Sequence, residues 1–178
     1  TYEHVDNTTG EVVTVPNGVQ PGWDYAPGQT ATERAIAARL NRLGSVETTI
    51  ARENVLQLVE APLFNRVMSG EVRGEFPVAV VPTAERQVFG GESPVVLLSQ
   101  AARQANPEIS ANDYRRIQEV LEEGEVYQQS DLSRLVYLIV NGLTYRAELR
   151  REAEAGSYYV TLFKSEIDTP PADAVRLR

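Results

Sequence analysis

The dipeptide Asn141-Gly142 constrains this chain more than any other feature, because it separates a continuous apolar run, 135–140 (LVYLIV), from an alternating one, 143–150 (LTYRAELR). Asn-Gly supplies two residues that tolerate positive φ, which a tight hairpin turn requires. The two runs therefore read as antiparallel strands. In the second, a period of two puts Leu143, Tyr145, Ala147 and Leu149 on one side and Thr144, Arg146, Glu148 and Arg150 on the other. After a loop at 151–157, the stretch 158–163 (YYVTLF) reads as a third strand, with Tyr158 and Tyr159 on opposite faces.

Upstream, the punctuation is helical. Thr30-x-x-Glu33 is a capping box ahead of Ala35, Ile36, Leu40 and Leu43, with Gly44 as a stop. A second helix is predicted over about 47–60, ending before Pro62, and a short third segment over 62–69 closes at Gly70. The polar, glycine-flanked stretch 70–75 marks a boundary. Beyond it, 78–81 and 95–98 are brief β-branched runs bounded by Pro or Gly, as buried strands are. Ser99 is placed to cap a short helix that stops near Pro107. Ser110-Ala111-Asn112-Asp113 opens a clearer helix with the apolar face Tyr114, Ile117, Val120 and Leu121, and Gly124 ends it.

The first residues are richer in turns: 6–10 reads as a turn before a short strand over 11–15, and 168–173 as a terminal loop. The whole predicts an α+β chain. Residues 1–75 form an extended loop plus helical segment, and 76–178 form a small helix-plus-antiparallel-sheet domain.

Composition narrows the chemistry. With no cysteine, disulfides and thiolate sites are excluded, and the single histidine, His4, argues against zinc ligation or a Ser-His-Asp triad. No metal or cofactor is expected. No apolar run reaches the length of a membrane span, and residues 1–30 lack a signal-peptide pattern. Thr1 in place of Met suggests a truncated or processed chain. A net charge of −8 opposes non-specific attraction to nucleic acid. The local exception is Arg146, Arg150, Arg151 and Lys164, which fall close together in the predicted strands.

The octet Pro21-Gly22-Trp23-Asp24-Tyr25-Ala26-Pro27-Gly28 resembles the "PGWDYNPG" element in the C-terminal region of Mu-type minor head proteins of tailed phages, Ala26 departing from the usual Asn. The stretches 76–81, 95–99, 113–117 and 121–126 resemble the phage nuclease-like domain attached to such proteins, which is grouped with barnase, EndoU, colicin and RelE-like nucleases. The pair Tyr145-Arg146-Ala147-Glu148-Leu149-Arg150 and Tyr158-Tyr159-Val160-Thr161-Leu162-Phe163-Lys164 is similar to that domain's closing "Y-x-A-x-x-K … Y-x-T-x-x-R" element. The resemblance covers about residues 15–30 and 76–165, and makes little claim on the helices between.

The resemblance implies a capsid-associated protein near the portal, present in the virion head and in the host cytoplasm during assembly or after ejection. It also implies a domain that cuts RNA without a metal. Such cleavage needs a base for the 2′-hydroxyl, an acid for the leaving oxygen and a cation for the phosphorane. Arg150, at the family's Lys position, and Lys164 supply cations. Thr161 can hydrogen-bond phosphate, and Glu148 is the best surviving base. Ser99, Arg146, Arg151 and the exposed tyrosine, taken as Tyr159, are candidate substrate contacts, the tyrosine by base stacking. Arg150 keeps charge stabilisation but is a poor general base, and the stretch 100–106 lacks the histidine that relatives often carry there. A degenerate, structural domain and an active ribonuclease or toxin both stay open, as does a solvated, alternately charged hairpin face. Trp23, Asp24 and Tyr25 are expected to anchor their loop or to contact a partner subunit.

Overall fold

The structure is a computed structural model describing residues 2–5, 12–15, 48–72, 74–90, 93–153 and 157–178. The expected helix over about 30–43 and the Trp23-Asp24-Tyr25 loop lie outside these residues. The fold is mixed α+β.

Two short strands, β1 (Tyr2–Val5) and β2 (Val12–Val15), form a separate antiparallel pair. The 47–60 pattern yields α1 (Thr48–Glu60), and Pro62 at a helix start, where a missing N–H costs nothing, opens α2 (Pro62–Met68). Strand β3 (Phe76–Val80) is buried along its whole length. Helix α3 (Thr83–Phe89), which the sequence reading did not anticipate, leads to β4 (Val95–Leu98). Ser99 caps α4 (Gln100–Ala105) by accepting the Ala102 N–H at 3.1 Å.

Ser110 and Asp113 form a capping box where the helix is expected to open, but the single helix expected after it is two pieces, α5 (Ala111–Tyr114) and α6 (Ile117–Glu123). The N–H of Arg116 bonds the carbonyl of Asp113, only three residues back, and this tightened turn separates them. A polar strand absent from the sequence reading, β5 (Glu125–Ser130), precedes β6 (Ser133–Val140), β7 (Leu143–Arg151) and β8 (Tyr158–Ser165). Asn141 (φ 51°) and Gly142 (φ 80°) form the β6–β7 turn as their chemistry demands. The stretch 168–173 is a loop as expected, and two residues just past it, for which the sequence predicts no element, pair with β5 as β9 (Val175–Arg176).

The seven strands run in the order β3-β4-β8-β7-β6-β5-β9. Neighbours are antiparallel except β4 and β8, which are parallel. Helices α4 to α6 carry the chain from β4 to β5, and the meander β5-β6-β7-β8 then returns it to β4. One sheet face carries the core: Tyr145, Ala147 and Leu149 of β7 and Tyr158, Val160 and Leu162 of β8 join Tyr114, Ile117, Val120 and Leu121 beneath the helices. Ala51, Val55, Val59, Phe64 and Val67 of α1 and α2 enter the same cluster, across the glycine-flanked stretch at 70–75. At β3, the buried Gln118 of α6 accepts the Val80 N–H at 2.8 Å and donates to the Val80 carbonyl at 3.1 Å, standing in for a strand neighbour.

Candidate functional site

Register decides which candidates meet. Arg150 pairs with Ser133 of β6 and Tyr159 of β8, and Glu148 pairs with Leu135 and Thr161. Side chains alternate along a strand, so Arg146, Glu148, Arg150, Tyr159, Thr161 and Phe163 share the face opposite the helices. There Ser99, Ser133, Glu148, Arg150, Tyr159 and Thr161 line a pocket of about 250 Å³, to which Gln129 also contributes. Five of the predicted site residues (Arg150, Thr161, Glu148, Ser99, Tyr159) are thus brought together.

Lys164 is not among them. It pairs with Tyr145, a core-facing residue, and therefore emerges on the helix side. Its Nζ lies 2.9 Å from Oδ2 of Asp113. The expected convergence of Lys164 and Arg150 on one pocket does not occur, because Lys164 lies five positions after Tyr159 in β8, an odd offset that puts it on the opposite face. Arg151 is corrected for the same reason: it pairs with the buried Tyr158 and points to the helix side, with its guanidinium 5.8 Å from the Phe89 ring centroid.

Arg146 shares the outer face but is engaged there. Its guanidinium sits 4.3 Å from the Phe163 ring centroid, 3.2 Å from Asp168 Oδ2 and 3.5 Å from Glu148 Oε1. Arg150 differs. Among the described residues no carboxylate lies within ion-pair distance of it. The Tyr159 hydroxyl donates to Glu75 Oε1 at 2.8 Å. Burial, and then the Glu75 carboxylate that accepts its proton, push the Tyr159 phenol well above its ordinary value, so it stays neutral.

The pocket thus offers one guanidinium fork, the hydroxyls of Ser99, Ser133 and Thr161, the neutral phenol of Tyr159 and the carboxylate of Glu148. Ser99 Oγ already accepts from Ala102, yet its hydroxyl proton remains available to donate. The guanidinium and the hydroxyls can donate hydrogen bonds to an oxyanion, while the Glu148 carboxylate beside them repels one. Among the described residues there is no group of three or more His, Asp or Glu that could hold a metal ion, and no helix is long and apolar enough to cross a membrane.

Sequence reasoning missed Ser133, Gln129 and Glu75. Extending the period of two back from Leu135 finds Ser133, on the same face as Leu135 and directly across from Arg150. Gln129 sits in a polar strand with no apolar alternation to reveal it, and Glu75 comes from the far edge of the sheet, for which no local pattern exists. No family model matches the chain, and no match was found among curated proteins or solved structures.

Proposed function

We propose that this chain is a head-associated protein of a Mu-type tailed phage whose α+β domain, of the barnase/RelE-like type, holds an RNA phosphate on the outer sheet face without cutting it. The observation that carries the RNA part is Arg150, unpaired among the described residues, beside Ser99, Ser133 and Thr161 in one pocket, while Lys164 is committed to Asp113 on the other face. Guanidinium and hydroxyl donors suit a phosphodiester. With a cation removed and no imidazole in the pocket, acid–base chemistry is weakly supplied. The head association, with portal and capsid proteins as partners, rests on the resemblance of the octet 21–28.

A second reading, metal-independent RNA cleavage by an endoribonuclease or toxin domain, is favoured by Glu148 and Arg150 lining the same pocket. Glu148 would take the 2′-hydroxyl proton and return it to the departing 5′-oxygen as the P–O5′ bond breaks to leave a 2′,3′-cyclic phosphate, and Arg150 would meet the phosphorane charge. Incubating the protein with tRNA and mixed RNA in EDTA separates the two. RNA that stays intact while bound supports the first; cleavage that Arg150→Ala abolishes replaces it with the second. Mass spectrometry of purified particles tests head association, and absence from them refutes it.

A further inference from the structure

Arg134 of β6 pairs with Leu149 and so points to the helix side, away from the Arg150 pocket. It is 6% exposed, with its guanidinium 4.2 Å from the Phe89 ring centroid. Nη1 donates to the carbonyls of Ser130 (3.0 Å) and Ser133 (3.2 Å). Nε and Nη2 have no acceptor among the described residues, and no carboxylate among them lies within ion-pair distance; Asp131 acts on the group from the β5–β6 turn. Arg151 lies against the same Phe89 ring, and its buried Nε has no acceptor either. Two like charges beside one ring, neither ion-paired among the described residues, repel each other in a poorly solvated place, and an anion would relieve both.

Arg134 also lines a pocket of about 310 Å³ whose walls include Ala84, Val88, Val126 and Leu177. The remaining wall is the ion pair of Glu85 with Arg178, and Arg178 is fixed by its bonds to the Leu121 and Gly124 carbonyls. Arg178 offsets the Glu85 charge through Oε1, while the buried Glu85 Oε2 accepts no hydrogen bond among the described residues; Arg134 is then the cation of the lining without an ion-pair partner among them. We propose that this pocket binds a carboxylate carried on a short apolar body. The Nε–Nη2 edge of Arg134 meets the two oxygens side-on, and Ala84, Val88, Val126 and Leu177 cover the apolar part. Inorganic phosphate fits less well, because the walls are mainly apolar and offer few further donors.

The test is calorimetric titration of the full chain with hexanoate, its neutral analogue hexanamide, and inorganic phosphate. The proposal expects one hexanoate per chain, hexanamide weaker by about tenfold or more, and no displacement by phosphate. Arg134→Gln abolishes hexanoate binding. Should that variant fail to fold, Val88→Asp, at a position 79% exposed, carries the test: it places a like charge beside the ligand and weakens hexanoate by about tenfold or more. No hexanoate binding, hexanamide binding equally well, displacement by phosphate, or indifference to Val88→Asp overturns the assignment.

Discussion

The Lys164 ammonium donates to Oδ2 of Asp113 at 2.9 Å, and this bond draws the end of β8 onto α5. Asp113 is buried and accepts three further bonds: from the Ser110 N–H (2.9 Å) and hydroxyl (3.0 Å), and, at Oδ1, from the Tyr145 hydroxyl (2.8 Å). One carboxylate thereby ties a helix cap to two strands. Replacing Lys164 by Met removes the only cation paired with it among the described residues. We expect a loss of about 1–3 kcal/mol in urea unfolding. RNA retention should stay unchanged, since Lys164 lies on the face opposite the Arg150 pocket.

The same carboxylate sets an acid limit. Burial alone would raise the Asp113 pKa, but the Ser110 N–H, the Lys164 ammonium and the Tyr145 hydroxyl outweigh it and hold the group at about 2, below its ordinary 3.8. A folded-state pKa below the unfolded one gives stability that is present above about pH 4 and lost as pH falls towards 2. The contribution is about 2 kcal/mol at neutral pH. Urea midpoints measured between pH 2 and pH 5 should fall in that window, and Asp113→Asn should flatten this part of the slope. An equally steep fall in the variant would contradict the assignment.

Gln118 makes a comparable prediction for the sheet edge. Gln118→Ala strips Val80 of both main-chain partners at a buried site. A loss of about 2–4 kcal/mol follows from two unsatisfied groups, and faster amide exchange at Val80 would report it directly.

Gly124 ends α6 with little room to spare. A Cβ there would meet the Val120 carbonyl oxygen at 2.5 Å, Val136 Cγ1 at 2.7 Å and the Tyr137 carbonyl oxygen at 2.8 Å. Two of these are backbone atoms that cannot swing aside, so Gly124→Ala should cost about 1–3 kcal/mol or more. Thermal melting checks it; an unchanged Tm would show that the α6–β5 junction can open.

Much of the sheet was legible because Asn141-Gly142 and the alternation through β7 are local signals. They place Tyr145, Ala147 and Leu149 inward and Arg146, Glu148 and Arg150 outward, as the structure has them. What escaped was non-local or polar. Strand β5 is polar over Gln128, Gln129 and Ser130 and exists through pairing with β6 and β9, which no short window contains. The candidate site was half legible for a similar reason. Alternation within β7 was carried through, but the parity of β8 was not: Tyr159 and Thr161 share a face with Arg150, whereas Lys164, three residues past Thr161, does not. Closeness in the predicted hairpin was read as closeness in space.

RNA binding on the outer sheet face requires Arg150, rather than Lys164, to be the cation that meets the phosphate. Fluorescence-anisotropy titration of a labelled single-stranded RNA, in EDTA at one fixed low salt concentration, tests this with wild type, Arg150→Ala and Lys164→Met side by side. We expect Arg150→Ala to weaken binding by about tenfold, the worth of one charge-assisted contact. Lys164→Met should stay within about twofold of wild type, with the RNA intact throughout. No binding by wild type, no loss in Arg150→Ala, or a larger loss in Lys164→Met would contradict it.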